Sequence, residues 1–82
     1  MSGRVPGATR ILGIDPGLQH TGWGLVESAG SRLRHLGCGV VSTDAAAPLA
    51  ERLAVLHRAL VALLGEWRPD EAAVEHTYVN RN

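Results

Sequence analysis

The chain has 82 residues, enough for one small domain whose core is only marginally sufficient. Its 8 basic and 8 acidic residues cancel, which excludes a nucleic-acid binder that works through whole-chain charge and leaves only a local arginine patch open. A single cysteine excludes an internal disulfide, and four widely separated histidines show no zinc-ligand spacing.

Residues 1–9 (MSGRVPGAT) read as a loose tail. No apolar leader is visible in MSGRVPGATR, so a cytoplasmic protein is expected. No apolar run approaches the ~18 residues of a membrane span, so no membrane partner is expected. The segment RILGID then reads as a strand buried on both faces, because Ile11, Leu12 and Ile14 do not alternate with polar residues. Pro16 holds Asp15 extended, and Gly17 frees the chain to turn.

TGWGLVES is the second strand, with Trp23 and Leu25 on one face and Val26 on the other; Gly22 and Gly24 suggest close backbone approach or a bulge. After the short turn AGS, RLRHLGCGVVST reads as a third strand. Three strands with short links make an antiparallel meander. Cys38, between Gly37 and Gly39, is expected to be a small buried apolar residue, and His20 a surface loop residue.

The period changes at Asp44. Pro48 suits a first helical turn, and Leu49, Leu53, Leu56, Leu60, Leu63 and Trp67 recur at spacings of three and four, one stripe of an amphipathic helix. Arg52, Arg58 and Glu66 fall off the stripe as solvated positions, and His57 borders it. Gly65 weakens the last turn and Pro69 forbids continuation. EAAVE, Glu71 to Glu75, reads as a short buried strand, and HTYVNRN as the opening of a second helix. A strand, helix and strand returning to one sheet form a right-handed crossover, so this fourth strand runs parallel to an earlier one.

If that partner is the first strand, Asp15 and Glu75 meet at the carboxyl ends of parallel neighbours, roughly 4.8 Å apart. Unshared, two such carboxylates repel; a hard divalent cation such as magnesium would neutralise them. Two ions about 4 Å apart can clamp the attacking and leaving oxygens of a phosphodiester. Asp-Pro-Gly is also a common turn tripeptide, and Glu75 taken alone reads as a strand-end surface residue. From spacing alone the turn reading is the stronger, and the conjunction of the two carboxylates shifts the balance modestly.

GIDPG, followed by TGWG, then LAERL in the helix and AAVEHTYVNRN after RPD, resembles the bacterial RuvC family of Holliday-junction endonucleases, the crossover junction endodeoxyribonucleases. The match runs from about Arg10 to Asn82 and corresponds to the N-terminal half of a typical member. The resemblance implies an RNase H-like α/β fold: a three-stranded antiparallel meander, a crossover helix and a fourth strand parallel to the first, with residues 10–82 the N-terminal part of the nuclease domain and its later helices and fifth strand absent. It implies that Asp15 and Glu75 are two of four acidic magnesium ligands, the others lying in a later segment. Tyr78 matches an aromatic placed to stack near a junction centre, and Asn80, Arg81 and Asn82 are candidates for phosphate contact. Simple packing at a helix start and a solvated terminus explain the same residues. His76, beside Glu75, carries little weight as a general acid. The partners implied are four-way junction DNA and a second copy of the chain; branch-migration machinery lies beyond what the residues show.

Two other readings stay open. Sugar kinases and actin-like ATPases also begin with strand-Asp-x-Gly and a hairpin, but usually carry a hydroxyl residue where this chain has Leu18. Alternatively the 82 residues are a truncated, inactive remnant that binds nucleic acid or a partner, poorly folded alone because one sheet edge and face would be bare.

Overall fold

The computed structural model describes residues 5–17 and 19–75 of the chain. Strand β1 (Thr9–Asp15), β2 (His20–Ala29) and β3 (Arg32–Ser42) are followed by helix α1 (Leu49–Trp67) and strand β4 (Glu71–Val74). They form one four-stranded sheet in the order β3-β2-β1-β4. β1 pairs antiparallel with β2, β2 antiparallel with β3, and β1 parallel with β4. This is the RNase H-like arrangement that the sequence leads one to expect, with the strand-helix-strand crossover returning β4 to the first strand.

The β2–β3 hairpin closes through two residues, Gly30 and Ser31, because Ala29 pairs with Arg32. Gly30 has φ of +61°, the conformation that glycine supplies at the first central position of such turns. Further along, Leu25 pairs with Gly37 and Val26 with His35, so Leu36 is the extra residue of a bulge. The bulge sits on β3; the glycines of β2 do not mark it.

The register assigns side chains to faces. Leu12, Leu25 and Gly37 share a row, and Ile14, Trp23 and Gly39 share the next, all on the face that α1 covers. The indole of Trp23 crosses onto β3: a Cβ added at Gly39 would lie 2.8 Å from its Nε1. Above Gly37 the ring of Trp67 arrives from the helix, 3.6 Å from where a Cβ would stand. The GCG of β3 is therefore bare backbone on which two half-buried indoles rest. Leu12 and Leu25, at the centre of this layer, are the fully buried apolar side chains among the described residues.

Several expectations fail here. The other face of the sheet is not covered by any described element. Ile11 is therefore half-buried rather than enclosed, and β1 is covered on one face only. Cys38, on the bare face opposite Gly24, is exposed. β4 is exposed throughout instead of buried, with Val74 at 63% on the edge of the sheet. The helix stripe is buried only in part. Leu56, Leu60, Leu63 and Trp67 are half-buried, whereas Leu49 and Leu53 are exposed because the first half of α1 stands off the sheet over a cleft of about 230 Å³. Arg52 lines that cleft and is half-buried, not solvated as its position off the stripe suggested. Arg58 and Glu66 are exposed as expected.

The ends of α1 follow the local chemistry. Pro48 precedes the first helical residue, and Asp44 organises the approach by accepting the Ala46 N–H at 2.9 Å through its side chain. At the far end Arg68 takes a left-handed conformation, φ 48°, and its N–H donates to the Leu64 carbonyl. Pro69 follows and stops the helix.

The end of the sheet far from Asp15 carries a feature that apolar periodicity hides. Arg10 and Glu27 are cross-strand partners, 2% and 4% exposed. Arg10 Nε lies 3.6 Å from Glu27 Oε2, and the exposed Arg34 of β3 approaches Glu27 Oε1 at the same distance. Arg10 Nη1 also donates to the carbonyl of Trp67, the last residue of α1, at 2.8 Å. A cation there meets the negative end of the helix dipole.

Candidate active site

Asp15 is the last residue of β1, and Pro16 and Gly17 turn the chain away immediately after it. The turn is tight: a Cβ added at Gly17 would run into the His20 carbonyl oxygen, so only glycine fits there. Glu75 follows the last residue of β4. Its N–H donates to the Ile14 carbonyl at 2.8 Å, which extends the parallel ladder one residue past the Ile14–Val74 pair. That bond sets Glu75 beside Asp15. Alternation places Asp15 with Ile11 and Gly13, and Glu75 with Glu71 and Ala73, so both side chains leave the sheet on the face opposite the helix.

On that face the sheet is nearly bare. Gly13, Gly22, Gly24 and Ala73 floor a cleft of about 500 Å³ that Asp15 and Glu75 border. A Cβ at Gly22 would be 4.0 Å from the Asp15 Cβ, and one at Gly24 would meet nothing within 4 Å. Close approach, suggested by the sequence for these glycines, is therefore not what they provide. They leave space beside the carboxylates. Both acids are exposed, and none of the described residues lining the cleft is basic. No third His, Cys, Asp or Glu joins them among the described residues.

Such a donor set fits a hard cation that takes one or two carboxylates and fills its other positions with water and phosphate oxygens. Among the described residues it does not fit a soft metal, since Cys38, His20, His35 and His57 form no ligand group with the two acids. His20 is exposed, its Nδ1 2.9 Å from the Ser42 hydroxyl, where it ties the start of β2 to the end of β3. His57 is exposed on the helix. His76, Tyr78, Asn80, Arg81 and Asn82 lie outside the described residues.

The pairing of Asp15 with Glu75 was legible from the sequence. The glycine floor and the Arg10–Glu27 pair were not. Glu27 gave a weak signal, as an acid within the apolar run GLVES that alternation assigns to the same face as Leu25.

Comparison with known proteins agrees with this architecture. The chain is 59% identical over 73 residues to the crossover junction endodeoxyribonuclease RuvC of Granulibacter bethesdensis, covering 89% of this chain and 41% of that protein. It is 58% identical over 78 residues to the one from Acidiphilium cryptum, covering 95% and 47%. Among solved structures, T. thermophilus RuvC in complex with Holliday junction substrate superposes with a TM-score of 0.80 at 35% identity, over 90% of this chain and 46% of that one. The chain thus spans less than half the length of these relatives. The family model for crossover junction endodeoxyribonuclease RuvC matches residues 11–82, from the third residue of β1 past Glu75, and by that match the chain belongs to the RuvC family.

Proposed function

We propose that this chain supplies the N-terminal part of a magnesium-dependent, structure-specific endonuclease that cleaves phosphodiesters at four-way DNA junctions in recombination and repair. The observation that carries the reading is the lateral pairing of Asp15 and Glu75 over a cleft floored by glycine. Family membership, and a solved relative bound to a Holliday junction substrate, support the choice of DNA substrate.

In this reading residues 1–9 are a tail and residues 10–82 begin the nuclease domain. Asp15 and Glu75 hold the cation, with further acidic ligands from a later segment. When bound, magnesium supplies charge neutralisation at a phosphoryl oxygen and a water acidic enough to act as nucleophile near neutral pH. The chain's own part is positional. Pro16 holds Asp15 at the strand end, the β1–β4 ladder holds Glu75 beside it, and the bare floor admits a backbone phosphate without steric conflict. Tyr78 stacks on a base near the junction centre, and Asn80, Arg81 and Asn82 contact phosphate. Symmetrical cleavage of two strands suits a homodimer, which works with branch-migration machinery in the cytoplasm.

The test uses the complete protein that carries this segment and a synthetic four-way junction. Cleavage is expected in magnesium and lost in EDTA, with junction binding retained. Cutting that persists in EDTA would overturn the magnesium assignment, and calorimetric binding of ATP in place of junction binding would favour the kinase-like reading. For the isolated 82-residue polypeptide, an inactive binding remnant is favoured by the exposed edge strand and by a sheet face that no described element covers.

A further inference from the structure

We propose that Arg10 and Asp70 are positioning residues: together they lock the register of β4 on β1 and so determine that Glu75 stands beside Asp15. The inference rests on the nuclease reading and adds how its two carboxylates are aligned.

β4 has little means of finding its own register. It has four residues, EAAV, all exposed, and two of them are alanine. Register is weakly specified where no face is strongly buried, and a slip of one residue moves every side chain to the other face. Here such a slip would put Glu75 across the sheet from Asp15. Yet the pairing holds one offset along its whole length, from Ile11 with Glu71 to Ile14 with Val74.

The residue pair just before the ladder supplies what β4 lacks. Arg10 N–H donates to Asp70 Oδ2 at 2.8 Å, and Asp70 N–H donates to the Arg10 carbonyl at 2.8 Å. These two bonds make Arg10 and Asp70 the first rung, and the Glu75 N–H bond to Ile14 is the last. Arg10 is itself fixed: its side chain is buried, meets Glu27 at 3.6 Å and donates to the Trp67 carbonyl at 2.8 Å. The end of the helix is thereby tied to β1, and only Arg68 and Pro69 separate Trp67 from Asp70. Arg68 is held in its left-handed turn and Pro69 has a fixed φ, so this link has little slack. The carboxylates stand five residues further on, roughly 17 Å along the strands.

Asp70 is exposed, so its replacement leaves the buried layer intact. In the complete protein, Asp70→Ala is expected to speed amide exchange of Glu75 about tenfold, the usual worth of a hydrogen bond to a charged acceptor, with Leu12 and Leu25 unchanged. The magnesium concentration for half-maximal junction cleavage should rise about threefold or more, with junction affinity in EDTA unaltered. Asp70→Asn, whose amide oxygen still accepts the Arg10 N–H, should return both readouts toward wild type. An Asp70→Ala protein with wild-type Glu75 exchange or a wild-type magnesium midpoint would overturn the proposal. So would exchange that quickens equally at Leu12 and Leu25, which would mark a general loss of stability. Asp15→Asn separates the two layers of inference. If that variant cuts normally the nuclease reading itself fails, whereas an inactive Asp15→Asn alongside an unchanged Asp70→Ala removes only the register lock.

Discussion

Asp15→Asn in the complete protein is expected to reduce junction cleavage by about a thousandfold while leaving junction binding close to wild type. Asparagine keeps the shape of the side chain and its capacity to accept a hydrogen bond, and removes only the charge. Charge is what a magnesium ligand contributes, and stabilisation of a phosphoryl transition state by the metal is worth several kcal/mol. About 4 kcal/mol corresponds to the thousandfold loss. Stability should hardly change, because Asp15 is exposed and the turn after it is set by Pro16 and by the close approach at Gly17. The measurement is single-turnover cleavage of a labelled four-way junction, with binding followed separately in EDTA. Wild-type cleavage by this variant would mean that Asp15 serves the turn alone, the alternative that Asp-Pro-Gly always left open.

The parts of the fold visible in the sequence were those governed by local rules. Apolar runs between Gly and Pro gave three strands, the recurrence from Leu49 to Trp67 gave the helix, and the handedness of strand-helix-strand returns gave a parallel β4. Because side chains alternate on a strand, that topology alone brought Asp15 and Glu75 to one end of the sheet. Periodicity stops short of saying whether an apolar face is covered. EAAVE and Cys38 look like interior sequence, yet both lie where no described element packs. Leu49 and Leu53 continue the helix stripe but extend beyond the sheet contact. The glycines misled for a related reason. Gly39 is required by a ring from another strand and Gly24 by nothing that touches it, a difference that resides in side chains distant in sequence. Arg10 and Asp70 are 60 residues apart, and no spacing rule connects them.

The largest effect on stability should come from Glu27→Gln, a cost of about 3–5 kcal/mol read as a fall in the urea midpoint of the complete protein. The buried layer holds two fully enclosed leucines and, in the adjoining row, a buried ion pair. Removing the Glu27 charge takes one counter-charge away from the enclosed Arg10 guanidinium. The hydrogen bond to the Trp67 carbonyl compensates only part of that, and Arg34 adds a second cation nearby. Arg34→Ala should cost well under 1 kcal/mol, because its side chain is 65% exposed and solvent screens the contact. The pair as a whole need not stabilise the fold. Its 3.6 Å separation is longer than a hydrogen bond, so desolvation offsets much of the attraction. Arg10→Met combined with Glu27→Leu is therefore expected to recover most of the stability lost in Glu27→Gln, since apolar residues of similar volume can fill such a site. Recovery in the double variant would show that the cost of the single change is the loss of the Glu27 counter-charge from a buried cation, and it would leave the Arg10 contact with the helix end as what the pair adds beyond packing. If Glu27→Gln instead costs less than about 0.5 kcal/mol, water reaches Arg10 readily and the row is not a closed interior.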